Sequence, residues 1–317
     1  MTRAAGAEVE FDSDGCRLAG TFIDTPDPVA AALIIGGSGP IDRDSNDRRI
    51  RLRVTAEIAD ALTDAGVSTL RYDKRGIGAS GGDYRSTGMS QHLADARAAL
   101  AWLATRASGL PLLVVGHSEG ALHAIELAAL QVAAGAVLLS PAARTGEQIL
   151  TWQARMIIPT IPRWLHAVWR IACNDPIRTQ RKQLDRIRMS DAAVMRIRGR
   201  RMPALWFREF ATYDPTPALA RISVPVLAIT GECDRQVPPE DIDAIKDLVC
   251  GPYEGHVVAD LSHVLRPDPD RLGPRGYRRA VRQPISPTIV QLITAWITAQ
   301  WGRRSSLHGT DKPERKP

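Results

Sequence analysis

The sequence predicts an α/β fold: a mainly parallel sheet with helices on both faces. Two observations carry this. Short apolar runs recur along the chain and end in glycine- or aspartate-rich turns, as strands buried on both faces do. Between them lie stretches with apolar residues at helical spacing, and repeated strand–helix order implies parallel strands joined by crossover helices. A length of 317 residues allows one large domain or two small ones. Hydrophobic residues make up 44% and charged residues 24%, ordinary globular values that exclude a disordered or collagen-like chain.

Residues 9–11 and 17–23 read as an opening hairpin around Asp12-Ser13-Asp14-Gly15. Residues 30–35 form an apolar strand that ends in Gly36-Gly37-Ser38-Gly39-Pro40. Val54, Ile58, Ala61, Leu62 and Ala65 mark a helix that Gly66 stops. Strand 67–72, a helix marked by Leu93, Ala96, Leu100 and Leu103, strand 112–115, helix 121–132 and strand 136–139 follow. The alternation then breaks. Residues 144–221 are arginine-rich, largely helical in pattern and interrupted by Pro159, Pro162 and Pro176. Strand 224–230, helix 242–249, strand 256–261 and helix 288–301 complete the series. The expected organisation is a core of 1–143 and 222–301, a helical cap of 144–221 inserted between late strands, and a polar tail of 302–317.

The net charge is +6, and only five of the 41 basic residues are lysines. The 144–221 segment holds fifteen basic against six acidic residues. A basic patch suits nucleic acid, anionic lipid or an acidic substrate, but no nucleic-acid motif is present, so no nucleic-acid partner is expected. Cysteines at 16, 173, 233 and 250 match neither a metal pair nor a disulfide framework and read as reduced, mostly buried thiols. No apolar run is long enough to span a membrane, and residues 1–15 lack the apolar core of a secretory signal, so the cytoplasm is the expected location. No metal or organic cofactor is implied.

The chemistry concentrates in Leu112-Leu113-Val114-Val115-Gly116-His117-Ser118-Glu119-Gly120-Ala121. A strand runs into Gly-x-Ser-x-Gly and a helix leaves it, the context of a nucleophile elbow. A serine hydroxyl is a weak nucleophile and needs a base, which in turn needs an orienting acid. Asp234 follows strand 224–230 and His263 follows strand 256–261, so Ser118, Asp234 and His263 all reach the carboxyl edge of the sheet. Glu232 is the main rival acid and Asp260 a lesser one, while His92, His123 and His256 suit the base position less well. Two backbone N–H groups would bind a developing oxyanion: that of Glu119, after the nucleophile, and that of Ser38, with Gly39 as its rival. The 36–39 turn lacks the lysine pattern of a P-loop and the GxGxxG of a dinucleotide site.

These motifs, together with Asp42-Arg43-Asp44 and Asp73-Lys74-Arg75-Gly76-Ile77-Gly78-Ala79-Ser80, resemble the α/β-hydrolase superfamily, particularly bacterial serine esterases and peptidase-like hydrolases. The resemblance implies a three-layer fold around an eight-stranded, mostly parallel sheet. It departs from many relatives in having Gly36-Gly37 where they carry His-Gly before the oxyanion residue. It implies cleavage of a carboxylic ester through an acyl-enzyme on Ser118. An acyltransferase, a thioesterase or a peptidase would use the same triad, and a non-catalytic binding protein would keep the fold alone.

Trp152, Trp164 and Trp169, with Met156 and neighbouring isoleucines, make 144–170 apolar with arginines interleaved. Trp152, Met156 and Trp164 are therefore the candidate substrate-binding residues, under a lid for an apolar acyl group. The alternatives are a cap face packed on the core, or peripheral contact with an anionic membrane surface. The expected partner is a small acyl substrate, and the oligomeric state stays open.

Overall fold

A computed structural model describes residues 6–160 and 176–302. The strands are β1 (Ala7–Ser13), β2 (Cys16–Ile23), β3 (Ala30–Ile35), β4 (Val67–Tyr72), β5 (Leu112–His117), β6 (Gly135–Leu139), β7 (Val194–Ile197), β8 (Arg200–Pro203), β9 (Val226–Gly231) and β10 (Tyr253–Val258). The helices are α1 (Val54–Asp64), α2 (Met89–Arg106), α3 (Glu119–Ala129), α4 (Gly146–Ile157), α5 (Pro176–Arg188), α6 (Ala204–Thr212), α7 (Thr216–Leu219), α8 (Asp241–Leu248), α9 (Tyr277–Ala280) and α10 (Pro287–Trp301). Among the described residues, eight strands form one sheet in the order β1-β2-β4-β3-β5-β6-β9-β10. The β1–β2 and β2–β4 pairs are antiparallel, and β4 through β10 pair in parallel.

The central strands are apolar on both faces because both faces are covered. Along β3, Ala31, Leu33 and Ile35 enter one core with α2 and α3. Ala30, Ala32 and Ile34 enter the other with α1 and α10. Strands β5, β6 and β9 divide their residues between the same two cores with the period of two that a pleated strand imposes. The result is the three-layer α/β-hydrolase architecture, with β6 and β9 adjacent in the sheet although residues 140–225 separate them in sequence. No helix of the described residues is long and apolar enough to cross a membrane.

Three expectations need correction. The arginine-rich segment is not helical throughout: β7 and β8 form a hairpin whose turn residues Arg198 and Gly199 take φ of 49° and 78°, the positive values a tight hairpin requires. The last strand runs over Tyr253–Val258, not 256–261, because parallel pairing with β9 begins at Tyr253↔Val226. Asp260 therefore lies beyond the strand, exposed and at φ 54°. Of the described cysteines, all free thiols, only Cys233 is buried.

Two features fix the carboxyl edge of the sheet. The first is the turn from β5 into α3. A Cβ on Gly116 would sit 2.1 Å from the Gly120 carbonyl oxygen, and one on Gly120 would sit 2.2 Å from the Ile35 oxygen. Strand, helix and the neighbouring β3 thus meet at backbone contact. The second is His117, whose buried Nε2–H donates to the His263 carbonyl at 2.7 Å. That bond pins the loop after β10 beneath the end of β5. Burial pushes the His117 pKa from 6.5 to about 3.

Gly120→Ala is therefore expected to destabilise the fold by about 2–3 kcal/mol, since backbone atoms cannot move aside as a flexible side chain can; urea denaturation measures this, and a loss under 0.5 kcal/mol would contradict the packing. His117 predicts an acid limb. The unfolded chain takes up this proton near pH 6.5 and the folded chain only near 3, so unfolding binds a proton between those values. Stability then falls as pH drops through that window, by about 1.4 kcal/mol per unit from this group. His117→Gln should flatten the limb accordingly, and an unchanged slope would refute the assignment.

Candidate active site

Ser118 occupies the turn between β5 and α3 with φ 57° and ψ −117°. Its N–H donates to the Leu139 carbonyl and its carbonyl accepts from Ala121 N–H, each at 2.9 Å. It stands at the N-cap position of α3, yet its side chain makes no capping bond. The hydroxyl is thus not consumed by the helix end, and the half-buried side chain faces a pocket.

Asp234 and His263 are brought together. His263 Nδ1 and Asp234 Oδ2 lie 2.7 Å apart, and both residues are buried. The other carboxylate oxygen, Oδ1, accepts the backbone N–H groups of Gln236 at 2.7 Å and Val237 at 3.0 Å. Burial works against ionisation of Asp234, but His263 and the two N–H donors outweigh it and hold the carboxyl below its ordinary value. An ionised Asp234 fixes the proton on His263 Nδ1 and leaves Nε2 as the basic nitrogen. The rings of His263 and His117, the residue before Ser118, have centroids 5.0 Å apart. The rival acids are elsewhere. Glu232 is exposed and pairs with Arg271 at 2.9 Å, and Asp260 sits in the exposed turn described above.

The turn after β3 lies against the elbow. A Cβ on Gly37 would come within 3.3 Å of both Ser118 Cβ and His117 Nδ1, so any side chain there would crowd the elbow. Ser38 and Glu119 line the same pocket as Ser118. The Gly39 carbonyl accepts from Ile41 N–H at 2.9 Å. Ser38 lines the pocket and Gly39 is not among its lining residues, which favours Ser38 over Gly39 as a second donor.

The pocket walls come from several elements. Leu122 belongs to α3, Ile149 and Gln153 to α4, Trp206 and Phe210 to α6, and Gln236 and Val237 follow β9. The Trp206 and Phe210 rings stack with centroids 4.8 Å apart. Of the residues expected to bind substrate, Trp152 and Met156 are on α4 but are not among those lining this pocket, which takes Ile149 and Gln153 from that helix instead. Trp164 lies outside the described residues. Trp206 and Phe210 were not singled out from the sequence, although an i, i+4 aromatic pair was there to be read. Arg144, at the rim, is bound by Asp241 at 2.6 Å and Glu240 at 2.9 Å. Arg208 is also engaged, donating to the Ser190 carbonyl at 2.5 Å.

Among the described residues, two groups have the donor atoms to surround a cation: buried His92, Glu119 and His123, and the surface set Glu232, Cys233 and Asp260.

Sequence comparison agrees with the architecture. Esterase EstD of Thermotoga maritima is 25% identical over 277 residues, covering 85% of this chain and 62% of EstD. An uncharacterized protein of Mycobacterium tuberculosis, Rv2307c, is 36% identical over 144 residues, 43% of this chain and 46% of that one. The chain thus spans less than two thirds of the length of these relatives. Among solved structures, Est1E of Butyrivibrio proteoclasticus with ferulic acid bound superposes at a TM-score of 0.64 with 19% identity, over 93% of this chain and all of that one. The Pyrococcus furiosus esterase Pf2001 gives 0.61 with 18% identity, over 95% and 92% of the two chains. At that identity the superpositions speak for the fold. The family model of the serine aminopeptidases S33 matches residues 51–270, well over half of the sequence, and the chain belongs to that family of α/β-hydrolases.

Proposed function

We propose that this protein is a serine hydrolase that cleaves carboxylic esters through an acyl-enzyme on Ser118. The observation that carries the reading is the 2.7 Å pairing of His263 with an Asp234 carboxylate itself fixed by two backbone N–H groups, on the sheet edge where Ser118 stands uncapped. In this mechanism His263 Nε2 takes the Ser118 proton as Oγ attacks the ester carbonyl. The oxyanion is bound by the N–H groups of Glu119 and Ser38, and Asp234 stabilises the imidazolium. The alkoxide leaves with the proton from His263. Water, deprotonated by the same nitrogen, then releases the acid.

The segment 144–221 acts as a cap. Its Ile149, Trp206 and Phe210 supply an apolar wall, which suits an apolar acyl group. The lining also favours an ester over the N-terminal residue of a peptide. An aminopeptidase needs a free carboxylate to hold the substrate ammonium, and among the described residues the one acid lining the pocket, Glu119, has a side chain only 1% exposed and is tied up by protein donors.

A fluorophosphonate probe is expected to label Ser118, with mass spectrometry locating the adduct. Ser118→Ala and His263→Ala should each lose on the order of 10³-fold or more in kcat on p-nitrophenyl butyrate. Undiminished turnover by folded Ser118→Ala would refute the mechanism. Phe210→Ala should lower kcat/KM for butyrate by about tenfold more than for acetate, because apolar contacts discriminate by chain length. Equal losses would remove the apolar wall from the account. Faster cleavage of an aminoacyl naphthylamide than of any ester would reassign the substrate to peptides.

A further inference from the structure

The mechanism uses the backbone of Glu119 and leaves its side chain unexplained. That side chain is buried at the centre of a polar cluster. Oε1 faces three donors: His92 Nδ1 at 2.9 Å, Trp206 Nε1 at 3.1 Å and His123 Nε2 at 3.4 Å. Oε2 is buried without a hydrogen-bond partner and pairs only by charge with Lys74 Nζ, 3.7 Å away. Lys74, itself 8% exposed, donates to the Gly37 carbonyl oxygen at 2.6 Å.

We infer that Lys74 and the Glu119 carboxylate are positioning residues for the oxyanion hole, Lys74 by gripping the Gly37–Ser38 peptide and Glu119 by holding Lys74. The inference rests on the hydrolase reading above. Its geometry is simple. The Gly37–Ser38 peptide is trans, so the carbonyl of Gly37 and the N–H of Ser38 point in opposite directions from one rigid plane. A cation holding the carbonyl from the protein side aims the N–H away from itself, toward the pocket that Ser38 and Ser118 share. Glycines on both sides of Ser38 leave this turn free to rotate unless something fixes it. Lys74 fixes Gly37 from one side, and the Gly39 carbonyl is held by Ile41 N–H on the other.

Burial lowers the Lys74 pKa, and the Glu119 carboxylate works against that by favouring the ammonium form. Burial opposes ionisation of Glu119, yet Lys74 and the two histidines keep its carboxyl well below the ordinary value. Burial lowers the His92 pKa, so His92 stays neutral and donates through Nδ1–H. A buried ion pair is a poor source of stability, so its value here is in orientation.

A metal ion held by His92, Glu119 and His123 fits less well. The outer nitrogens, His92 Nε2 and His123 Nδ1, are buried with no hydrogen-bond partner. Metal on the inner nitrogens would put protons on those outer ones, leaving two buried N–H groups without acceptors. Donation of the inner N–H groups to Glu119 leaves only bare lone pairs there, the lesser cost. The Lys74 ammonium beside Oε2 would also repel a dication.

The test is a double variant, Lys74→Met with Glu119→Gln, which removes both charges together and strands neither. On p-nitrophenyl butyrate, kcat is expected to fall roughly 10- to 100-fold, somewhat less than the loss of an oxyanion donor, with KM within about threefold of wild type. Ser38→Pro, which deletes the N–H, should cost about 100-fold in the native background but in the paired variant only the part of that factor still present, so that the combined loss stays near 100-fold, because both act on one donor. A structural role alone would not produce that coupling. If the paired variant fails to fold, Glu119→Gln alone is measured on the same kcat and KM split and the same cycle with Ser38→Pro. A folded variant with kcat within twofold of wild type, or losses that multiply with Ser38→Pro, overturns the inference. So does one equivalent of zinc in the purified protein whose removal by chelator lowers Tm. Wild type that neither labels at Ser118 nor turns over esters sinks the hydrolase reading and this inference together; active wild type with unaffected variants sinks this inference alone.

Discussion

At Ser118 the chain passes from β5 into α3 through a conformation, φ 57° and ψ −117°, that a residue with a side chain adopts only when its surroundings impose it. Such strain costs on the order of 1–3 kcal/mol. What imposes it is α3 itself, ten of whose eleven residues are buried, packed at backbone contact on β3 and β5. The contact exists because Gly116 and Gly120 have no Cβ. Everything at the sheet edge follows from this approach. It leaves the Ser118 hydroxyl out of the helix cap, brings Gly37 within van der Waals reach, and starts α3 with Glu119, which lines the pocket while its side chain is buried in the protein.

That last consequence explains the polar interior around the site. A carboxylate forced inward at position 119 must be neutralised by protonation or surrounded by donors. The surrounding residues take the second course. Lys74 comes from the loop after β4, His92 from α2, His123 from one turn farther along α3, and Trp206 from α6. Asp234 is treated in the same way by His263 and two backbone N–H groups. In both cases the donors hold the charge and the charge holds the donors, so each carboxylate fixes the orientation of groups from separate elements. An apolar core would pack as well but would not orient them.

Much of this was legible in the sequence, and what was not has a common cause. Gly116, Ser118 and Gly120 could be read directly because their constraint is local: strand, turn and helix lie within ten residues. Asp234 and His263 could be read because each follows its strand, even though β10 ends at Val258 and not at 261. The misplaced boundary arose from the apolar Val257-Val258-Ala259-Asp260-Leu261, where hydrophobicity continues past the last paired residue; only register with β9 shows where pairing stops. The β7–β8 hairpin was hidden by the arginines around it, although Arg198-Gly199 was a turn signal. Trp206 and Phe210 were passed over for the denser tryptophans near Trp152, because which face of a cap helix looks down on a pocket depends on tertiary packing. The role inferred for the Glu119 side chain was invisible for the same reason: its partners lie 45 residues upstream at Lys74 and 87 downstream at Trp206.

Chemistry and selection therefore meet at one side chain. Phe210 and Trp206 stack on each other and wall the same pocket, yet they are not equivalent. Phe210 touches the pocket as an apolar surface and nothing more. Trp206 also donates Nε1–H to the carboxylate of Glu119, whose other oxygen faces Lys74 and through it the 37–38 peptide. On the proposed reading, a change at Phe210 alters which acyl groups fit. A change at Trp206 would alter fit and also leave a buried carboxylate short of a donor, so its effect would reach the Gly37–Ser38 peptide. Helix α6 is linked to that peptide by three polar contacts, Trp206–Glu119, Glu119–Lys74 and Lys74–Gly37, and under the proposed mechanism a specificity determinant placed on it acts on turnover as well as on binding wherever it disturbs the indole.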